Sequence, residues 1–145
     1  MNPKTNLFLI TFFIILYSLI SIVCFPEDID ISRIIQIESS ENPEAIGLNG
    51  EIGLCQISAI VLTEWNNYHP NSQYDELDLF TPSINVLIAE WYYNKRIPQM
   101  LKHYGFEDTI ESRITAYNFG IGNMVKWKEL PKITKDYIKK YRRLK

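Results

Sequence analysis

The sequence predicts a mostly α-helical single domain, and three observations lead there. Beyond Pro26, apolar residues recur at three- and four-residue spacing almost throughout, the period of a helix with one buried face. The chain has 145 residues, room for one core and not two. Its composition is 46% hydrophobic, 22% charged and 13% aromatic, which excludes disorder, collagen-like repeats and a coiled coil. Two cysteines are too few for a disulfide scaffold or a four-cysteine zinc site. A net charge of −2 gives no overall attraction to nucleic acid.

Each element follows from a local signal. Leu7 to Phe25 carries no charge, and its nineteen residues span roughly 28 Å as a helix, close to the hydrocarbon thickness of a bilayer. Lys4 precedes this apolar helix and Glu27, Asp28 and Asp30 follow, so the positive end stays inside and the rest crosses. Residues 1–25 are therefore a signal-anchor or a signal peptide. The exit at Ser21 to Phe25 lacks a small-x-small cleavage pair, which favours an anchor in residues 7–25. Residues 26–145 form the exported domain. Cys24 and Cys55 are not expected to pair, because Cys55 lies in an apolar run where a small hydrophobe suffices.

In the domain, Ile31, Ile34, Ile35 and Glu38 share one helix face that stops before Pro43. Gly47 to Gly53 reads as a loop or a small β-hairpin. Leu54 to Trp65 reads as a buried helix, and Tyr68 to Phe80 as an irregular surface connection. Thr81-Pro82 is a helix start, with Pro at the first helical position. Pro98 kinks or ends that helix. Asp108 and Glu111 suggest a capping box for a helix through Tyr117, ended by Gly120 and Gly122. A last helix from Thr134 turns Tyr137, Ile138, Tyr141 and Leu144 inward. Nine Lys or Arg against two acids from Lys126 onward make this end basic, a solvated face with a secondary reading as a contact for anionic wall polymers.

Glu38 is the first candidate for chemistry. A carboxyl on an apolar face is desolvated, which raises its pKa toward what a general acid needs at neutral pH. A helix-terminal Glu bending into solvent is the plainer reading of that feature alone. Gln56, inside an apolar run, must find hydrogen-bond partners, either substrate or backbone. His69 and His103 have no partner at ligand spacing, so no metal site is expected. Of Trp91, Tyr92 and Tyr93, at least one belongs to the core, with Trp91 the choice.

Five blocks in order bear on the family. They are Glu38-Ser39-x-x-Asn42-Pro43, Gly50-x-x-Gly53-Leu54-Cys55-Gln56-Ile57 and Asp78-Leu79-Phe80-Thr81-Pro82-x-x-Asn85-Val86, then Ala116-Tyr117-Asn118-x-Gly120 and Thr134-x-x-Tyr137-Ile138. Together they resemble the lytic transglycosylase SLT domain, a lysozyme-like group that cleaves peptidoglycan glycan strands. The likeness runs from about Ile31 to Ile138.

The resemblance implies a lysozyme-like domain with an active-site groove beside the Gly-rich segment. It implies Glu38 as sole catalytic acid/base, cutting after muramic acid without water and leaving 1,6-anhydromuramoyl ends. Ser39, Gln56, Tyr117, Asn118 and Tyr137 match positions of the family's substrate site, with Ser39 shaping the helix end and Tyr137 closing the pocket; Phe119, beside the Tyr-Asn pair, is expected to touch substrate as well. No cofactor is implied. The expected partners are peptidoglycan glycan strands and, through the N-terminal helix, the membrane. A monomer on the periplasmic or extracytoplasmic face is expected, with no nucleic-acid partner. Three positions depart from the family: Gly47 stands for a frequent Ser, Cys55 for Met, and Glu51 for a small residue. Glu51 leaves open a hydrolytic lysozyme using Glu38 and Glu51. A catalytically silent glycan-binding module is the non-enzymatic alternative.

Overall fold

The computed structural model describes residues 27–126 and 129–144. The apolar segment 7–25, on which the export and anchoring expectations rest, lies outside them. Among the described residues no helix is long and apolar enough to cross a membrane.

The described residues are mostly helical, as the periodicity predicts, and the regular elements among them are all helices or helical turns. Helix α1 spans Ile31–Glu38. Asp30 caps it by accepting from the Ser32 N–H, while Ile31 and Ile34 go into the core. The helix stops because Ser40 and Glu41 take positive φ, at 51° and 67°, which breaks the right-handed spiral. Glu38 is thus the last helical residue, on the face that carries the core isoleucines.

The Gly-rich segment takes the loop form. Isolated antiparallel bridges pair Ile46 with Ile52 and Ile52 with Ile57, without a continuous strand. The helix predicted from Leu54 begins later. Helix α2 spans Ala59–Tyr68, because Gly53 and Gln56 adopt φ of 79° and 51° and Ser58 caps the new start. Cys55 and Ile57 are buried as predicted, but by turns rather than by a helix. A short 3₁₀ turn, Leu77–Phe80, then leads into α3, Pro82–Trp91.

Two π turns follow that the periodicity does not announce. The first, Tyr92–Arg96, joins α3 to α4 (Ile97–His103), so Pro98 opens a helix instead of ending one. The second, Ala116–Gly120, joins α5 (Ile110–Thr115) to α6 (Ile121–Lys126), so Gly120 re-aims the chain without ending it. Thr109, not Asp108, caps α5 through the Ser112 N–H. Asp108 instead grips the buried Arg113 guanidinium with both oxygens, at 2.6 and 3.0 Å. Helix α7 spans Lys132–Arg143 and begins two residues before Thr134.

Helix α1 packs on α3 and α7, α7 on α5, α2 on α3, and α4 on α5. Ile34, Ile57, Leu79, Ile88, Ile97, Leu101 and Ile114 form the fully buried centre. Long-range polar contacts hold α1 in place: the Ile29 N–H donates to Asn94 Oδ1 and the Asp30 N–H to the Tyr141 hydroxyl, both at 2.8 Å. Trp91 is the least buried of the three consecutive aromatics and packs against the core, while Tyr92 and Tyr93 both lie in it. The π turn at Tyr92 redirects the side chains behind it, and Trp91 joins a cluster with Trp65 and His69.

Candidate active site

A groove of about 600 Å³ runs between the Gly-rich loop, α2 and the second π turn. Its walls include Glu38, Gly47, Leu48, Glu51, Gln56, Ile60, Tyr117 and Asn118. A second hollow of about 700 Å³ lies against α7, lined by Ile37, Tyr137 and Lys140 among others. Glu38 and Asn118 line both, so the carboxyl stands where the two meet.

Three segments surround Glu38. Helix α7 supplies Tyr137, whose hydroxyl donates to Glu38 Oε1 at 2.8 Å. The loop supplies Glu51 and Cys55, and the π turns supply Tyr93 and Tyr117. Burial pushes the Glu38 carboxyl up to about 7, opposed by the Tyr137 hydrogen bond, reinforced by the Glu51 charge and eased by Lys140. Glu51 moves the other way: its carboxyl is lowered by the Asn49 side-chain amide and backbone N–H, which hold one oxygen each. One acid is thus poised near neutrality beside another that stays ionised.

Gln56 faces the groove, but its amide nitrogen is committed to the Ala45 and Gly53 carbonyls, at 3.2 and 2.9 Å. Of the two partners open to it in the sequence, backbone takes the donors. Tyr117 donates to the Cys55 and Gln56 carbonyls at 2.8 and 3.1 Å, so it fastens the loop rather than Glu38. Asn118 is exposed in the groove, its Oδ1 accepting from the buried Thr134 hydroxyl at 2.8 Å. The Ser39 hydroxyl donates back to the Ile35 carbonyl and finishes α1. Phe119 is half-buried and is not among the residues lining either hollow.

Two residues of the site, Asn85 in the third motif block and Tyr93 among the three aromatics, have roles that the sequence does not disclose. Asn85 is fully buried and ties three backbones together. Its Oδ1 accepts from the Cys55 N–H, while Nδ2 donates to the Ile52 and Leu79 carbonyls. A polar residue at a core position of α3 is the signal, although partners 30 and 33 residues away are not legible. Tyr93, wholly buried, stacks on Tyr117 with ring centroids 4.3 Å apart.

The departures at 47 and 51 belong together. A Cβ at residue 47 would stand 2.6 Å from Gln56 Oε1 and closer still to Glu51 Oε2. Glycine there is what lets the Glu51 side chain fold back over the loop. Cys55 is fully buried and burial pushes its thiol up to about 12, so it packs as a neutral side chain. Among the described residues, no group of three or more His, Cys, Asp or Glu is arranged to hold a metal ion.

A search of curated proteins returned no match. A family model described as the transglycosylase SLT domain matches residues 30–139, from the cap of α1 to the second last turn of α7. The match takes in Glu38, the loop, both π turns and Tyr137. The chain belongs to the transglycosylase SLT domain family, whose members act on peptidoglycan.

Proposed function

We propose that the protein cleaves peptidoglycan glycan strands non-hydrolytically, with Glu38 as the single acid and base. The observation that carries this reading is one carboxyl, desolvated to a pKa of about 7, at the junction of two hollows and held by Tyr137. A carboxyl poised at neutrality can donate a proton and take one back.

The strand lies along the groove with its scissile linkage over Glu38. The protonated carboxyl gives its proton to the glycosidic oxygen as the bond from the anomeric carbon of muramic acid breaks. The substrate's N-acetyl group shares the positive charge at that carbon, so no second protein carboxylate is needed. Ionised Glu38 then removes the proton from the sugar's 6-hydroxyl, whose oxygen attacks the anomeric carbon and closes the 1,6-anhydro ring. The nucleophile is intramolecular and carries a high effective concentration. Tyr137 steadies the carboxylate between the two proton transfers. Gln56 Oε1 and Asn118 face the glycan from opposite walls, and exposed Leu48 and Ile60 offer apolar surface to the sugar rings.

Glu51 does not take the part of a water-activating base in this reading, because the sugar's own 6-hydroxyl is the nucleophile and the Asn49 hydrogen bonds that lower the Glu51 carboxyl weaken it as a base. Membrane attachment through residues 7–25, on the periplasmic or extracytoplasmic side, places the domain against its substrate. The test is Glu38→Gln assayed on purified sacculi. An amide cannot donate the proton, so activity falls by about 10²–10⁴-fold or more. Activity within about a factor of three of wild type would remove Glu38 from this role, given the size expected of general acid catalysis.

A further inference from the structure

Tyr93 is wholly buried, and its hydroxyl is a buried side-chain polar atom with no hydrogen-bond partner of ordinary geometry. A phenylalanine would fill the same space without stranding a polar group, so the oxygen calls for a reason. The neighbour it faces is the Tyr137 hydroxyl, which itself donates to Glu38. The backbone is bent to bring this about. Tyr93 lies in one π turn and Tyr117 in the other, and the two rings stack behind the carboxyl. Such turns are rare and concentrate at functional sites.

We propose that Tyr93 is a positioning residue for the reaction, its hydroxyl backing the Tyr137 hydroxyl and holding it on Glu38 while the carboxyl loses and regains its proton. The inference rests on Glu38 being the acid and base. A phenol has one proton to give and two lone pairs to accept with. Tyr137 gives its proton to Glu38, which leaves its oxygen lone pairs facing Tyr93. As the carboxyl ionises, Tyr137 donates more strongly, and a donor behind it strengthens that bond in turn. Burial keeps both Tyr93 and Tyr117 protonated, so they act as neutral dipoles. The other groups facing Glu38 are Lys140 from α7 and Glu51 and Cys55 from the loop. Neither Lys140 nor Glu51 is among the groups that perturb Tyr93, so changing Tyr93 leaves their charges in place.

The experiment compares the full chain in detergent micelles as wild type, Tyr93→Phe, Tyr137→Phe and the double variant. The Glu38 carboxyl is titrated by carbon-13 NMR, its signal assigned by loss in Glu38→Gln, alongside the pH profile of sacculus cleavage. Tyr93→Phe raises the Glu38 midpoint by about half a unit, roughly threefold in proton affinity, and moves the alkaline limb of activity with it. In the Tyr137→Phe background it adds nothing. In wild type the Tyr93 Cζ shift follows the Glu38 midpoint, a readout that needs no variant to fold. An unmoved Glu38 midpoint in folded Tyr93→Phe, a shift that persists without the Tyr137 hydroxyl, or a flat Tyr93 signal overturns the proposal. If Glu38→Gln still cleaves, the catalytic reading itself fails, whatever Tyr93 does.

Discussion

The Tyr137 hydroxyl and Glu38 Oε1 meet at 2.8 Å although 99 residues of sequence separate them. The bond joins the end of the first described helix to the middle of the last, and the loop, α2 and the second π turn between them build the groove walls. It also opposes the desolvation that raises the carboxyl, since a donor favours the ionised form. The site works as a balance: burial keeps the proton on and Tyr137 makes its loss tolerable.

The first prediction is a stability change with a definite sign. Folding raises Glu38 from an ordinary value of 4.5 to about 7. The folded state therefore holds the proton more tightly, and this contribution is complete below pH 4.5 and lost as pH rises through about 7. Glu38→Gln removes a buried charge only where that charge exists. It should stabilise the protein by about 1–3 kcal/mol at pH 8 and leave it unchanged at pH 4. Denaturant unfolding at both pH values checks this; equal effects at both would contradict the burial argument.

Glu51 gives a prediction about rate. Its negative charge raises Glu38, so Glu51→Gln should move the alkaline limb of the cleavage profile to lower pH while cleavage persists. Added salt should shrink the difference, because Glu51 is only half-buried. Complete loss of activity would instead identify Glu51 as a second catalytic carboxylate.

Gly47 and Glu51 should behave as one unit. Gly47→Ser forces its Cβ against Glu51 and Gln56 and should cost about 1–3 kcal/mol of stability. Adding Glu51→Ala should return part of that loss, since it removes the carboxylate clash and leaves the one with Gln56 Oε1. Additive effects in a double-mutant cycle would show that the two positions are not coupled.

Asn85→Ala should be the most damaging change at a site remote from substrate. It strands the Cys55 N–H and the Leu79 carbonyl in the interior, at a cost of roughly 2–5 kcal/mol, while the Ile52 carbonyl keeps the Ile57 N–H. The loop that presents Gln56 and Glu51 should then loosen before the helices do. Amide exchange across residues 45–57 measures this, and unchanged protection there would argue against the role given to Asn85.

Local signals in the sequence carry the helical class and the candidacy of Glu38 and Gln56, whereas Tyr117, Asn118 and Tyr137 entered only through the family resemblance and Phe119 lines neither hollow. Ile31, Ile34 and Glu38 share a face because helical spacing puts them there. The late start of α2 was not legible, because Ile57, Val61, Leu62 and Trp65 recur at helical spacing while Gly53 and Gln56 turn the chain left-handed before the helix begins. The π turns were hidden too, since one extra residue per turn leaves the apolar pattern nearly intact and shifts only which aromatic faces inward. Trp91, the expected core residue, is left half-buried against the core while Tyr92 and Tyr93 go into it. Contacts such as Asn85 with Cys55, or Gly47 with Glu51, depend on tertiary packing and have no signature in spacing.

The central claim is that Glu38 alone closes an anhydro ring on the sugar it releases. Mass spectrometry of borohydride-treated products from purified sacculi tests it most directly. Wild type should give 1,6-anhydromuramoyl ends, and Glu38→Gln should give no new ends. Products about 20 Da heavier, carrying reduced muramic acid, would show that water had attacked and would make the enzyme a lysozyme.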